Sequence, residues 1–279
     1  MSALPAEQNQ TEDIEVALLL EGLYRVYGFD FREYSPASIK RRILERMRAE
    51  KAATISGLQD KVLHDEACME RLLLGLSVHV TSLYRDPSFY LTFRRKVVPI
   101  LRTYPTVRIW HAGCSTGEEV YSMAILLQEE GLYRKCIIYA TDISKEVLRR
   151  AKDGIFPLSA MQEYTVNYMN AGGKHEFSDY YTAHYDNVIF HPSLKSNVVF
   201  SEHNLVTDGS FNEFHVILCR NVMIYFNKTL QERVQNLIYE SLSMFGFLGL
   251  GNKESLKFMP REASYERLDS RDKLYRKVG

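Results

Sequence analysis

Residues 107–127, V-R-I-W-H-A-G-C-S-T-G-E-E-V-Y-S-M-A-I-L-L, constrain this chain more than any other stretch. Val107 to Trp110 reads as a short β-strand, and Ala112, Gly113, Cys114, Ser115, Thr116 and Gly117 form a turn of small residues. Glu118 and Glu119, followed by apolar Val120, Met123, Ala124 and Leu127, open a helix. In a strand, glycine turn and helix of this kind, Gly113 lets the backbone approach a ligand, and the helix start turns unpaired N–H groups toward the turn. The same pattern also serves as a tight connection with no ligand, so alone it is a weak functional signal.

The spacing of Gly113 and Gly117 matches neither G-x-G-x-x-G nor the P-loop, which demands a lysine where this chain has Glu118. Two carboxylates suit the positive end of a helix dipole yet repel a pyrophosphate. They point to a ligand that is neutral or cationic at that place, and S-adenosylmethionine fits, with a sulfonium, an amino group and no phosphate. A second buried strand, C-I-I-Y-A at 136–140, delivers Asp142 within T-D-I-S. A Rossmann-like fold places its ribose-hydroxyl acceptor at such a strand end. Asp142 also reads as the N-cap of a helix from Lys145, and the two roles are compatible.

The 279 residues, 46% hydrophobic, suffice for one large core and a small one. Net charge is zero, so no global basic field recruits nucleic acid. Cys68, Cys114, Cys136 and Cys219 form no C-x-x-C pair and lie in or beside apolar runs, as reduced, packed thiols of a cytoplasmic protein would. No metal site is expected: His175, His184 and His191 share no helix face and read as surface residues. No apolar run of about 18 residues suggests membrane insertion.

Residues 1–12 read as disordered, and 13–76 as a small all-helical domain. Ile14, Leu18, Leu19, Leu20, Leu23 and Val26 recur at helical spacing up to Gly28; Ser35-Pro36 starts a second helix, and 66–76 form another. On the second helix Lys40, Arg41, Arg42, Arg46 and Arg48 stand against the single acid Glu45. Such a run is either a solvated face or a docking surface for an acidic partner.

From residue 77 the chain becomes α/β. Arg85 sits between Tyr84 and Asp86, before a helix opened by Asp86-Pro87, and reads as an ion-pair partner of Asp86 or as a residue covering a ligand. Residues 161–196, rich in tyrosine and with a Gly172-Gly173 turn, read as an inserted antiparallel hairpin unit. Asn204 pairs with an adenine edge or caps a turn. A buried central strand at 216–219 brings Arg220, Asn221 and Tyr225 past its carboxyl end, where open α/β sheets carry the ligand crevice; the same residues could simply tie loops together. A helix over 228–244 and a strand over 247–250 follow, and 256–277 read as a closing strand pair.

Four motifs in order, V-T-S-L-Y-R-D (80–86), A-G-C-S-T-G-E-E-V-Y-S (112–122), A-T-D-I-S (140–144) and C-R-N-V-M-I-Y-F (219–226), resemble the chemotaxis-receptor methyltransferases of the CheR type. The likeness runs from about residue 14 onward. It implies a helical N-terminal domain joined, from residue 77 to 279, to a Rossmann-like S-adenosylmethionine-dependent domain with an inserted β-subdomain. The implied activity is methyl esterification of receptor glutamates, with S-adenosylhomocysteine as product. By resemblance Thr81, Arg85, Glu118, Asp142, Asn204, Leu205, Arg220 and Asn221 contact the cofactor. Asp142 takes the ribose hydroxyls, while Asn204 and Leu205 lie near the adenine. Arg85 and Tyr225 sit by the transferred methyl and orient the incoming carboxylate.

The resemblance also implies that the basic helix Lys40 to Arg48, and the β-subdomain in some members, meet the cytoplasmic helices or tails of chemoreceptors. A monomer is expected. His79 stands where the family often has asparagine and carries no assigned contact, and G-L-G-N-K-E-S (249–255) replaces the common G-H-S-E form. Two other functions remain open at this level: a cofactor-sensing adaptor without chemistry, and a small-molecule methyltransferase.

Overall fold

The computed structural model describes residues 5–76 and 81–279, with side chains from residue 9. The chain divides into two compact units, one of Met1–Val78, Val206–Asp208 and Tyr225–Arg233, the other of His79–Leu205, Gly209–Ile224 and Val234–Gly279.

The first unit contains α1 (Pro5–Tyr27), α2 (Pro36–Ala49), α3 (Ile55–His64) and α4 (Glu66–Leu76). Helix α1 starts inside the stretch expected to be disordered, because Lys40 of α2 pairs with Glu12 and Asp13 and ties the early turns down. Its packed stripe is Val16, Leu19, Leu20 and Leu23, while Ile14, Leu18 and Val26 are more than half exposed. Periodicity alone had placed Ile14, Leu18 and Val26 on the same stripe. Gly28, at φ 77°, ends the helix. Helix α3, absent from the sequence reading, is capped by Thr54, whose hydroxyl accepts the Gly57 N–H at 3.0 Å, and it buries Ile55, Leu58 and Val62.

In the second unit α5 (Pro87–Lys96) and α6 (Val98–Leu101) precede β1 (Val107–Ala112), α7 (Glu118–Glu129), β2 (Cys136–Asp142) and α8 (Lys145–Asp153). An insertion follows, made of β3 (Ile155–Pro157), α9 (Met161–Asn170), β4 (Tyr181–His184) and β5 (Asn187–Phe190). The frame resumes with β6 (Val198–Glu202), β7 (Phe214–Cys219), α10 (Lys228–Ser241), which belongs to this unit from Val234 on, β8 (Leu242–Leu250), β9 (Tyr265–Asp269) and β10 (Leu274–Lys277).

Seven strands form one sheet in the order β6-β2-β1-β7-β8-β10-β9. The first five run parallel, and β10 is antiparallel to both its neighbours. Strand order reverses between β1 and β7, so the carboxyl ends of these two strands flank the place where doubly wound sheets open a ligand crevice. The inner strands are dry, with Ile109, Trp110, Val216, Ile217, Leu218 and Cys219 fully buried.

Two boundaries differ from expectation. The β-insertion begins at Ile155 rather than near 161, and 161–170 is helical rather than extended. Helix α9 buries Met161, Tyr164 and Tyr168, three and four residues apart, a helical period hidden by the tyrosine-rich composition. Strand β8 starts at Leu242, where a helix was expected to continue to Met244, because Leu242 pairs with Phe214 across an irregularity in the β7–β8 ladder. The insertion is anchored to the end of α7. There the fully buried Glu129 carboxylate pairs with Arg94 and accepts the Tyr180 hydroxyl at 3.0 Å and the Lys174 N–H at 2.9 Å, together with the Tyr168 hydroxyl. Among the described residues no helix is long and apolar enough to cross a membrane, and no group of three His, Cys, Asp or Glu is placed to hold a metal ion.

Candidate active site

The turn after β1 is built by backbone geometry. Gly113 and Gly117 adopt φ 77° and 96°, left-handed values that other residues take at a cost. The N–H groups of Gly113 and Cys114 both donate to the Thr141 carbonyl, at 2.9 and 2.8 Å, which fastens the turn to the end of β2. Asp142 completes that tie. One carboxylate oxygen accepts the Ser115 N–H at 2.9 Å and the other the Ser144 N–H at 3.2 Å. The N-cap position of α8 belongs to Ser144, so Asp142 braces two crossovers instead of capping one helix.

Glu118 and Glu119 part company at the start of α7. Glu118 is buried with the Thr116 hydroxyl at 2.7 Å, and among the described residues no cation pairs with it. Burial pushes its carboxyl above the usual range, and the Thr116 bond and its own N–H draw it partly back. Glu119 points elsewhere: His111 Nδ1 lies at 2.9 Å and Arg220 Nη1 at 3.0 Å. Burial raises its carboxyl too, but His111 and Arg220 outweigh that and hold it below the usual range. Glu118 alone therefore disfavours phosphate, since Arg220 compensates Glu119.

At the end of β7, Arg220 is buried and Asn221 takes a left-handed φ of 62°. The turn they start is held by Glu254, which the sequence reading did not single out. One oxygen of its buried carboxylate accepts the N–H groups of Asn221 at 2.8 Å and Gly251 at 2.6 Å; the other accepts those of Val222 at 2.9 Å and Met223 at 2.8 Å. Gly251 is required there, because a Cβ would come within 2.7 Å of the Asn221 amide nitrogen. The signal was available in G-N-K-E-S, which retains the glutamate of the family form.

Gly113, Glu118, Asp142, Arg220 and Asn221 thus lie at the carboxyl ends of β1, β2 and β7 or in the turns that leave them. Asn204, half-buried, and Leu205, buried, follow β6, and His203 between them and that strand donates its N–H to the Asp142 carbonyl at 3.1 Å. Arg85 belongs to the same unit, in a turn whose Tyr84 N–H donates to the Ser122 hydroxyl at 2.8 Å; Thr81 is half-buried. Tyr225 belongs to the helical unit, where its carbonyl accepts the Ser35 N–H at 2.9 Å and its ring faces the Arg42 guanidinium at 5.1 Å. His79 lies outside the described residues.

Residues 14–77 match the family model described as "CheR methyltransferase, all-alpha domain", and residues 79–271 match "CheR methyltransferase, SAM binding domain". The chain belongs to the CheR methyltransferase family. It is 51% identical to "Putative methyltransferase Cher3" of Pseudomonas putida, over 95% of this chain and 97% of that one. "Chemotaxis protein methyltransferase" of Salmonella typhimurium is 29% identical, covering 87% and 84%, and that of Listeria monocytogenes 28% identical, covering 83% and 86%.

This CheR-family chain is an S-adenosylmethionine-dependent methyltransferase, with a mixed sheet and a small antiparallel sheet built on the family's two domains. Its residues fit the cofactor: a buried carboxylate lacking a described counter-cation, Glu118, suits a ligand that carries an ammonium or sulfonium and disfavours phosphate. When bound, the cofactor supplies an electrophilic methyl group on a positive sulphur.

Proposed function

We propose that this enzyme esterifies glutamate side chains on a chemoreceptor or related signalling protein, with Glu118, Asp142, Asn204, Leu205, Asn221, Gly113 and Thr81 holding the cofactor and Arg85 and Tyr225 orienting the acceptor. The observation that carries the reading is the cationic Arg85 in a strained turn of the same unit as the crevice, supported by the names of the chemotaxis relatives. A glutamate has a reference pKa of about 4.3, so at neutral pH the acceptor oxygen is already ionised and needs no general base. What the chain must do is align the carboxylate, remove water from it and hold it still. A guanidinium and a phenol hydroxyl suit that task by donating hydrogen bonds to carboxylate oxygen.

The docking surface we propose is narrower than the whole basic run of α2. Lys40 is paired with Glu12 and Asp13, Arg46 with Glu50, and Arg42 donates to the Leu76 carbonyl. Arg48 is exposed, and Arg41, with a side chain 69% exposed, is held only by a long surface pair with Glu45 at 4.0 Å, so these two are the cations of α2 most open to an acidic receptor helix. The inserted sheet, with β4 at an edge, offers a second place for a receptor tail to pair. Four buried free cysteines suit a reducing, cytoplasmic setting, and we take the monomer as the working state. Incubation with methyl-labelled S-adenosylmethionine and receptor methylation helices should give alkali-labile label released as methanol. Stable label, or none, would refute glutamate esterification.

A further inference from the structure

Arg220 is the centre of a buried charge network. Its side chain is 2% exposed. Nη1 reaches Glu119 at 3.0 Å, and Nη2 reaches the Asp86 carboxylate at 2.8 Å and the Arg85 carbonyl at 3.0 Å. The guanidinium carbon also lies 4.3 Å from the centre of the Phe89 ring. Behind Glu119 stands His111, fully buried on β1.

The segment that Arg220 grips is strained. Tyr84 and Asp86, on either side of Arg85, adopt φ 51° and 57°, left-handed values unfavourable for residues with a side chain. Asp86 also stands at the N-cap of α5, where an aspartate ordinarily caps the first turn, yet it makes no side-chain cap bond. Its carboxylate is turned to Arg220 instead. A strained turn persists only when its surroundings over-determine it, and Arg220 does so through a carboxylate, a carbonyl and an aromatic face of three nearby residues.

We propose that Arg220 is a positioning residue: with Glu119 behind it, it holds the Tyr84–Asp86 turn and thereby aims Arg85, rather than binding the cofactor itself. This rests on the reading that Arg85 orients the acceptor. A lysine cannot replace it, because a single ammonium does not span Glu119, Asp86 and a carbonyl as a planar fork does.

The test uses Arg220→Met and the milder Asp86→Asn in the full chain. S-adenosylhomocysteine affinity is measured by calorimetry, kcat on a receptor helix, and amide exchange at residues 84–86. Both variants should hold S-adenosylhomocysteine within about threefold of the parent, exchange faster at 84–86 and lose at least about tenfold in kcat. In an Arg85→Ala background neither should lower kcat further, since the group being aimed is gone. Parallel loss of cofactor affinity with unchanged exchange would assign Arg220 to the cofactor and overturn the proposal, as would additive losses with Arg85→Ala. If Arg220→Met does not fold, Asp86→Asn decides. Should the parent form no glutamate ester, exchange and calorimetry still report whether Arg220 holds the turn, so the two failures are separable.

Discussion

Val222 stands against Gly113: its Cγ2 lies 2.7 Å from where a Cβ on Gly113 would be. The turn after β7 is thereby packed into the turn after β1, on either side of the strand-order reversal. Gly113→Ala must both hold a left-handed backbone, at about 1–2 kcal/mol, and push Val222 away. The expected result is a lower melting temperature and at least about tenfold weaker S-adenosylhomocysteine binding by calorimetry, restored in part by Val222→Ala.

Glu254→Gln tests the clamp on that second turn. The carboxylate divides four N–H donors between two oxygens, whereas an amide offers one oxygen and sets its NH2 against the remaining donors. Each donor left unsatisfied costs about 1–3 kcal/mol. Urea unfolding should show a loss in that range or above it, together with weaker cofactor binding. An unchanged midpoint would mean that the turn is held by something else.

Removing Glu129 should loosen the insertion. Glu129→Ala leaves Arg94 buried with Glu130 as its remaining carboxylate, removes the carboxylate that accepts the Tyr180 hydroxyl and leaves the Tyr168 hydroxyl with the His175 carbonyl. Breaking a buried pair in this way costs about 3–5 kcal/mol. Proteolysis within 171–190 should accelerate in the variant.

In the helical unit Glu50 accepts from Arg71 and Arg46, and the Arg71 bond holds its carboxyl down to about 2 from an ordinary 4.5. A depressed carboxylate adds stability that is present above its unfolded value and is lost as pH falls through the folded one. Because Glu50 lies near the surface, solvent limits the contribution to about 1 kcal/mol. The gap in stability between the parent and Glu50→Gln should therefore be full at pH 7 and close between about pH 4.5 and 2, read by denaturant titration at each pH.

The tightly paired Lys40 and the exposed Arg41 and Arg48 of α2 predict different outcomes. Arg41→Glu with Arg48→Glu should weaken binding of an acidic receptor helix about tenfold or more at low salt, with the effect fading as ionic strength rises. Melting temperature should fall only slightly, because the pair lost is the exposed Arg41–Glu45 contact at 4.0 Å. Lys40→Glu should instead lower stability, because Glu12 and Asp13 would face a like charge.

Much of the fold was legible because its signals are local. The strand-turn-helix at 107–127, the second strand with Asp142 and the buried strand before Arg220 depend on neighbours in sequence, and each occupies the expected place. Helix α3 was missed although Ile55, Leu58 and Val62 repeat at helical spacing, because the segment is short. Helix α9 was hidden by its tyrosines, which suit a strand as well.

Residue spacing on its own determined an α/β crevice that disfavours phosphate at the start of α7. Tertiary structure alone decided which groups face it. Glu118 and Glu119 are adjacent, so they point about 100° apart around the helix, and only the fold could bring Arg220 to one and leave the other without a described counter-cation. The partners of Asp86 and Glu254 were set in the same way: a charge takes the nearest counter-charge or N–H in space, and that neighbour lies far along the chain.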